Sequence, residues 1–257
     1  MRKGRDRSPS TGHTARRTRP VRRLYAAGPT GNDRPPVVWI PGLGAVKALL
    51  PSFRRCAEHT ACHLLDLPGF AARQRATPAP PLVGPLADTV TNWLASVPDS
   101  QVVLVGHSTG AQVALRAAAR NPDRVRALVL LGMTFPPHLR RAAPLLRAVT
   151  RTAVREPVGL LGALVPDYLR AGPLRLTRYL DSALRDHPED ALSRLCCPVV
   201  LAAGAHDPLA PPGWIEHAAR QAPDGRSVTL PGAHGFPYSA PESTAALVLR
   251  AAAPCEC

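Results

Sequence analysis

Val102-Val-Leu-Val105, Gly106-His-Ser-Thr-Gly110 and Ala111-Gln-Val-Ala-Leu-Arg116 follow one another without a break. The first four residues suit a buried strand, and the last six suit a helix. Between them stands G-x-S-x-G, which has meaning only at a strand-to-helix junction. Such a turn puts Ser108 at its tip in strained backbone. Small residues at Gly106 and Gly110 then keep the strand and helix from clashing. This junction decides the reading of everything around it.

Outward from it, short apolar runs alternate with longer amphipathic stretches. Val37–Ile40, Cys62–Leu65, Gln101–Val105, Ala127–Leu131, Pro198–Ala202 and Arg226–Leu230 read as buried parallel strands. Leu86–Ser96, Ala111–Arg120 and Gly213–Arg220 read as crossover helices. Residues 20–28 supply a further edge strand. The alternation predicts an α/β fold with a doubly wound, mostly parallel sheet. It breaks between about Met133 and Leu195, where helical periodicity continues with Pro and Gly interruptions and no strand run. An insertion of that size usually covers a site. The expected organisation is therefore a disordered basic tail over 1–23, a core over 24–134 and 193–257, and a helical lid over 135–192.

Composition narrows the function classes. Of 257 residues 45% are apolar and only 4% aromatic, so the core must be built chiefly from Leu, Val and Ala. No apolar run approaches the roughly 18–20 residues of a membrane span, and there is no internal repeat. The net charge of +14 resembles a nucleic-acid signature until it is divided. Residues 1–23 hold nine Lys/Arg against Asp6, and residues 138–180 hold eight Arg against Glu156 and Asp167. Elsewhere the two signs balance at 15 each. Charge thus belongs to a tail and to the lid. Over the lid it suggests a positive field above the site and a preference for anionic substrates; a solvated outer face is the competing reading. Neither a nucleic-acid partner nor a membrane is expected. The six cysteines lack zinc-like spacing and read as reduced thiols, and no secretory apolar stretch follows the basic residues, so a cytoplasmic location is expected.

A serine hydroxyl is a poor nucleophile near neutral pH and needs a base. Among nine histidines, His234 follows the last strand in Leu230-Pro-Gly-Ala-His-Gly235, at the sheet edge where α/β proteins gather their ligands. The base in turn needs an acid to fix its tautomer. Asp207, in Gly204-Ala-His-Asp-Pro208, follows the preceding strand, and its other reading is a turn or cap residue. Two backbone donors are expected to face a developing oxyanion: Thr109 N–H after Ser108, and Leu43 N–H in Pro41-Gly-Leu-Gly44.

Together these segments resemble the α/β-hydrolase superfamily over roughly residues 35–250. The shared features are Val37-Val-Trp-Ile-Pro-Gly-Leu-Gly44, Asp66-Leu-Pro-Gly-Phe70, the Ser108 turn, Gly204–Pro208 and Gly232-Ala-His-Gly235. The sequence departs from the family at Pro41, where a His is common before the Gly, and at Ala71, where a Gly is common. The resemblance implies a serine hydrolase acting on an ester or related acyl bond of a small-molecule substrate through an acyl-enzyme. No metal and no organic cofactor are expected, and Gly42-Leu-Gly44 is no dinucleotide loop. Thioesters, lactones, amides and carbon–carbon bonds remain alternatives, as does a receptor that binds without turnover. Ser108 in place of the Asp used by dehalogenating and epoxide-opening relatives makes those two activities unlike this chain's.

Overall fold

The structure, a computed structural model, describes residues 22–29, 34–70, 79–97 and 101–253. The tail to Val21, Ala71, Cys255 and Cys257 lie outside the described residues. In chain order the elements are β1 (Arg22–Ala27), β2 (Val37–Ile40), α1 (Leu50–Ala57), β3 (Cys62–Asp66), α2 (Val83–Ser96), β4 (Val102–His107) and α3 (Thr109–Arg120). They continue through β5 (Val125–Leu131), α4 (Ala142–Arg155), α5 (Val158–Ala171), α6 (Pro173–Arg185) and α7 (Glu189–Leu192). The chain then closes with β6 (Val199–Gly204), α8 (Pro212–Ala219), β7 (Gly225–Leu230), α9 (Phe236–Ser239) and α10 (Pro241–Ala251).

Seven strands form one sheet in the order β1-β3-β2-β4-β5-β6-β7. Only the edge strand β1 is antiparallel; every other pairing is parallel. This is the α/β-hydrolase fold, with helices on both faces of the sheet. β1 takes in Arg22 and Arg23, which the charge reading had placed with the tail. β4 runs two residues beyond the apolar run, because Ile40 pairs with Gly106 and Leu131 with His107. Sheet pairing, which no local pattern reports, carries the strand up to the turn.

Neighbouring side chains on a strand point to opposite faces. Val38, Ile40, Leu104, Leu128 and Leu201 therefore pack under α2, α3 and α8. Val37, Trp39, Val103, Val129 and Ala202 pack under α1 and α10. Both faces are covered, so the central strands read as continuous apolar runs. Trp39, Trp93 and Trp214 are all buried in these two layers.

The chain steps from β2 out to β3 and returns to β4 on the other side of β2. This reversal leaves a crevice at the C-terminal ends of β2 and β4, where open α/β sheets bind ligands. Helices α4–α7 are inserted between β5 and β6 and fasten to the elements beside that crevice. Gln112 of α3, fully buried, donates to the carbonyls of Thr134 (2.6 Å) and Ala183 (3.0 Å). Tyr179 Oη donates to the Thr109 carbonyl at 3.2 Å. Arg116 binds Asp186 at 2.8 Å. Among the described residues no helix is long and apolar enough to cross a membrane.

Leu104 sits at the centre of this sheet with no exposed surface. Leu104→Ala should cost about 2–5 kcal/mol through lost burial and a residual cavity. Urea denaturation should show a lower midpoint at an unchanged slope; an unmoved midpoint contradicts the packing described.

Candidate active site

Ser108 links β4 to α3 with φ 56° and ψ −126°, one of two non-glycine residues at positive φ among those described. Two bonds hold it there: its N–H donates to the Leu131 carbonyl at 2.9 Å, and its carbonyl accepts from Ala111 N–H at 2.9 Å. The flanking glycines are demanded by close approach. A Cβ on Gly106 would stand 2.5 Å from the Gly110 carbonyl oxygen, and one on Gly110 would stand 2.6 Å from those of Ile40 and Pro41. The side chain at the tip faces a cavity at the N-terminal, positive end of α3.

Asp207 and His234, on the loops after β6 and β7, meet directly: His234 Nδ1 lies 2.8 Å from Asp207 Oδ2. The other carboxylate oxygen of Asp207 accepts the N–H groups of Leu209 (2.8 Å) and Ala210 (3.0 Å). One oxygen of Asp207 thus meets His234 while the other ties the turn that follows. A carboxylate at Nδ1 puts the proton on that nitrogen and leaves the Nε2 lone pair available. His234 Nε2 is buried without a hydrogen-bond partner among the described residues. It lines the same cavity as Ser108, though the two are not hydrogen bonded. His206, Asp207's neighbour, points to solvent.

Electrostatics reinforce this arrangement. Burial alone would push the Asp207 carboxyl up, but the charge and hydrogen bond of His234 and two backbone N–H groups outweigh it and hold it below its ordinary value. Burial alone would push His234 down. The charge and hydrogen bond of Asp207, with a further contribution from Glu156, raise it above the ordinary imidazole value.

Of the two expected oxyanion donors, the Leu43 N–H is engaged within the protein. Leu43, at φ 44° and ψ 27°, donates its N–H to Thr109 Oγ1 at 3.0 Å. Leu43 and Thr109 both line the cavity. The Thr109 hydroxyl thereby ties the loop after β2 to the start of α3.

Three contributors escaped the sequence reading. The Thr109 side chain is one. His107 is another: it is buried, and its Nε2–H donates to the His234 carbonyl at 3.0 Å, fixing the loop. Burial, chiefly, with the neighbouring His234, pushes its pKa down to about 3, so it is neutral. Glu156 is the third. It follows α4, accepts the Gly235 N–H at 2.6 Å, and is raised above its ordinary value by burial. Its only signal in the sequence was being one of two acids among eight arginines.

The cavity has a volume of about 340 Å³ and is largely apolar, with Leu145, Leu160, Leu161 and Leu164 from the insertion facing Ser108 and His234. None of the eight arginines of residues 138–180 lines it; Glu156 does. The eight arginines thus stay out of the cavity wall, and the acid within that wall is Glu156. Arg140 binds Glu189, Arg170 binds Asp167, and Arg175 donates to the carbonyls of Pro68 and Ala79. Arg147, Arg151 and Arg155 face solvent.

Comparison with known proteins shows the family of this chain. The alpha/beta hydrolase family pattern matches residues 37–247. A Caulobacter sp. (strain K31) protein named as a carbamate hydrolase is 27% identical over 86% of this chain and 92% of its own length. A pimeloyl-[acyl-carrier protein] methyl ester esterase of Neisseria meningitidis is 31% identical over 71% of this chain and 65% of its own length. The enol-lactonase of Burkholderia xenovorans LB400 superposes with a TM-score of 0.71 over 88% of this chain and 94% of that one; at 18% identity this likeness concerns the fold alone.

His234 must be neutral to accept a proton, so kcat/KM for ester turnover should fall as pH drops through a limb lying above the ordinary imidazole value near 6.5. Glu156→Gln keeps an acceptor for Gly235 N–H and removes the charge. The limb should then move to lower pH, and by less than in Asp207→Asn. A limb unmoved in both variants would mean that His234 is not the titrating base.

Proposed function

Because the chain belongs to the alpha/beta hydrolase family, we propose that it is a serine hydrolase that cleaves a carboxylic ester or related acyl bond through an acyl-enzyme. One observation carries this reading: an imidazole anchored at Nδ1 by Asp207, with Nε2 unpartnered in the cavity that Ser108 faces. Ser108, His234 and Asp207 are then nucleophile, base and orienting acid.

Ser108 Oγ attacks the acyl carbon while His234 Nε2 takes its proton, and Asp207 stabilises the resulting imidazolium. The carbonyl oxygen gains negative charge and draws the N–H groups of Thr109 and Leu43. Leu43 exchanges its bond to Thr109 Oγ1 for one to the oxyanion, so this donor strengthens its interaction only as charge develops. The imidazolium then protonates the leaving alcohol, and the acyl group stays on Ser108. Water, deprotonated by His234, attacks the acyl-enzyme and releases the acid, returning the proton to Ser108.

The apolar lining supports an acyl portion that is aliphatic near the scissile bond. Relatives named for ester and carbamate hydrolysis support an oxygen-linked acyl carbon as the reacting centre. Glu156, carrying the acidic charge of that lining beside Gly235, disfavours a free carboxylate placed next to it.

Two results test the assignment. A fluorophosphonate should label the wild-type chain at Ser108 and leave Ser108→Ala unlabelled. Ser108→Ala should lower kcat on a p-nitrophenyl ester by roughly 10³–10⁶ with folding retained. A mutant that keeps more than about a tenth of the wild-type rate would exclude Ser108 as nucleophile.

A further inference from the structure

The insertion turns its inner face to the cavity, and its outer face has an unusual composition. Apart from Leu82, every strongly exposed large apolar side chain among the described residues falls between Leu146 and Leu174. On α4, Leu146 and Val154 lie on the side opposite Leu145, Ala148 and Thr152, which are buried. Helical spacing places Arg147, Arg151 and Arg155 beside them. On α5, Val158, Val165 and Leu169 face outward while Leu160 and Asp167 face inward. Val154 and Val158 are 87% and 84% exposed.

Acidic charge is withdrawn from this region. Glu156 turns inward to Gly235, and Asp167 is buried against Arg170. Arg147, Arg151 and Arg155 form no ion pair among the described residues. The cavity also reaches this side of the molecule, because Val149 and Ala153 of α4 are exposed and line it as well.

We propose that this outer face docks on an anionic lipid surface and admits acyl substrate from the lipid into the cavity past Val149 and Ala153. Aliphatic side chains interleaved with guanidinium groups are what an interfacial helix needs: apolar area to enter the acyl boundary and cations for lipid phosphates. A second copy of the chain is disfavoured, since a two-fold contact would bring Arg147, Arg151 and Arg155 against themselves or their like. The exposed apolar residues here are Val and Leu, with no Trp, Tyr or Phe among them, unlike the anchors typical of protein interfaces. The absence of a membrane-spanning run, which led to the expectation of no membrane partner, does not bear on attachment at the surface. Docking stands apart from the serine-hydrolase reading; only substrate entry rests on it.

The test is co-sedimentation of the full chain with phosphatidylcholine vesicles, with and without phosphatidylglycerol. Wild type should bind the anionic vesicles and leave the neutral ones. Three charged contacts contribute roughly fivefold each near such a surface, so R147Q/R151Q/R155Q should weaken binding by about a hundredfold. L146S/V154S/V158S keeps every charge, including those of residues 1–23, and should weaken binding by about tenfold or more. None of these six residues lines the cavity, so both variants should hydrolyse a short soluble ester like wild type, which also reports correct folding. Failure of the ester assay in wild type would overturn the hydrolase reading while vesicle binding still stood. The docking proposal falls if wild type does not bind anionic vesicles, or if both variants bind as wild type does, which would assign binding to the tail. It also falls if the aliphatic variant breaks a dimer seen by sedimentation velocity, or if the variants lose an acidic carrier protein and keep the vesicles.

Discussion

The backbone of Ser108 is the constraint on which the rest depends. A non-glycine residue at φ 56° between a strand and a helix persists only where its surroundings hold it. Here the holding is mutual. Gly106 and Gly110 let β4, α3 and the end of β2 approach so closely that no side-chain carbon fits between them. The same approach brings Leu43 within reach of the Thr109 hydroxyl. Strand order follows the same need: β2 beside β4 is what sets the loop after β2 against the turn after β4. Close backbone packing and the candidate site thus share one turn.

The insertion is attached to that structure, and not simply laid over it. Gln112 and Tyr179 bond across the junction between α3 and the inserted helices, close to Thr109. Glu156 bonds the backbone next to His234. A displacement of α4 would therefore change the electrostatic surroundings of His234 as well as the shape of the cavity.

Charge in this protein is sorted by helix face. Along the chain, residues 138–180 hold eight arginines against two acids. In three dimensions one acid enters the cavity wall, the other is buried beside Arg170, and the arginines that remain unpaired face outward. Glu156 lines the cavity, whereas Arg147, Arg151 and Arg155 of the helix just before it face solvent.

The Val102–Arg116 segment gave the fold reading its starting point, because strand, sharp turn and helix follow one another there and each has its own residue chemistry. The alternation of apolar runs located six strands to within a few residues; five are apolar because both their faces are covered, whereas β7, expected to be buried, is an edge strand with Arg226, Ser227 and Thr229 exposed. It also singled out Ser108, Asp207 and His234, which lie just past strand ends. What it missed shares one cause. β4 reaches His107 because of pairing with β2 and β5. Glu156, the Thr109 hydroxyl and His107 matter through partners 79, 66 and 127 residues away in the chain. Hydrophobic period and turn chemistry are local and survive in the sequence, whereas the direction of a side chain and the sign of the charge at a site exist only after helices and loops have packed.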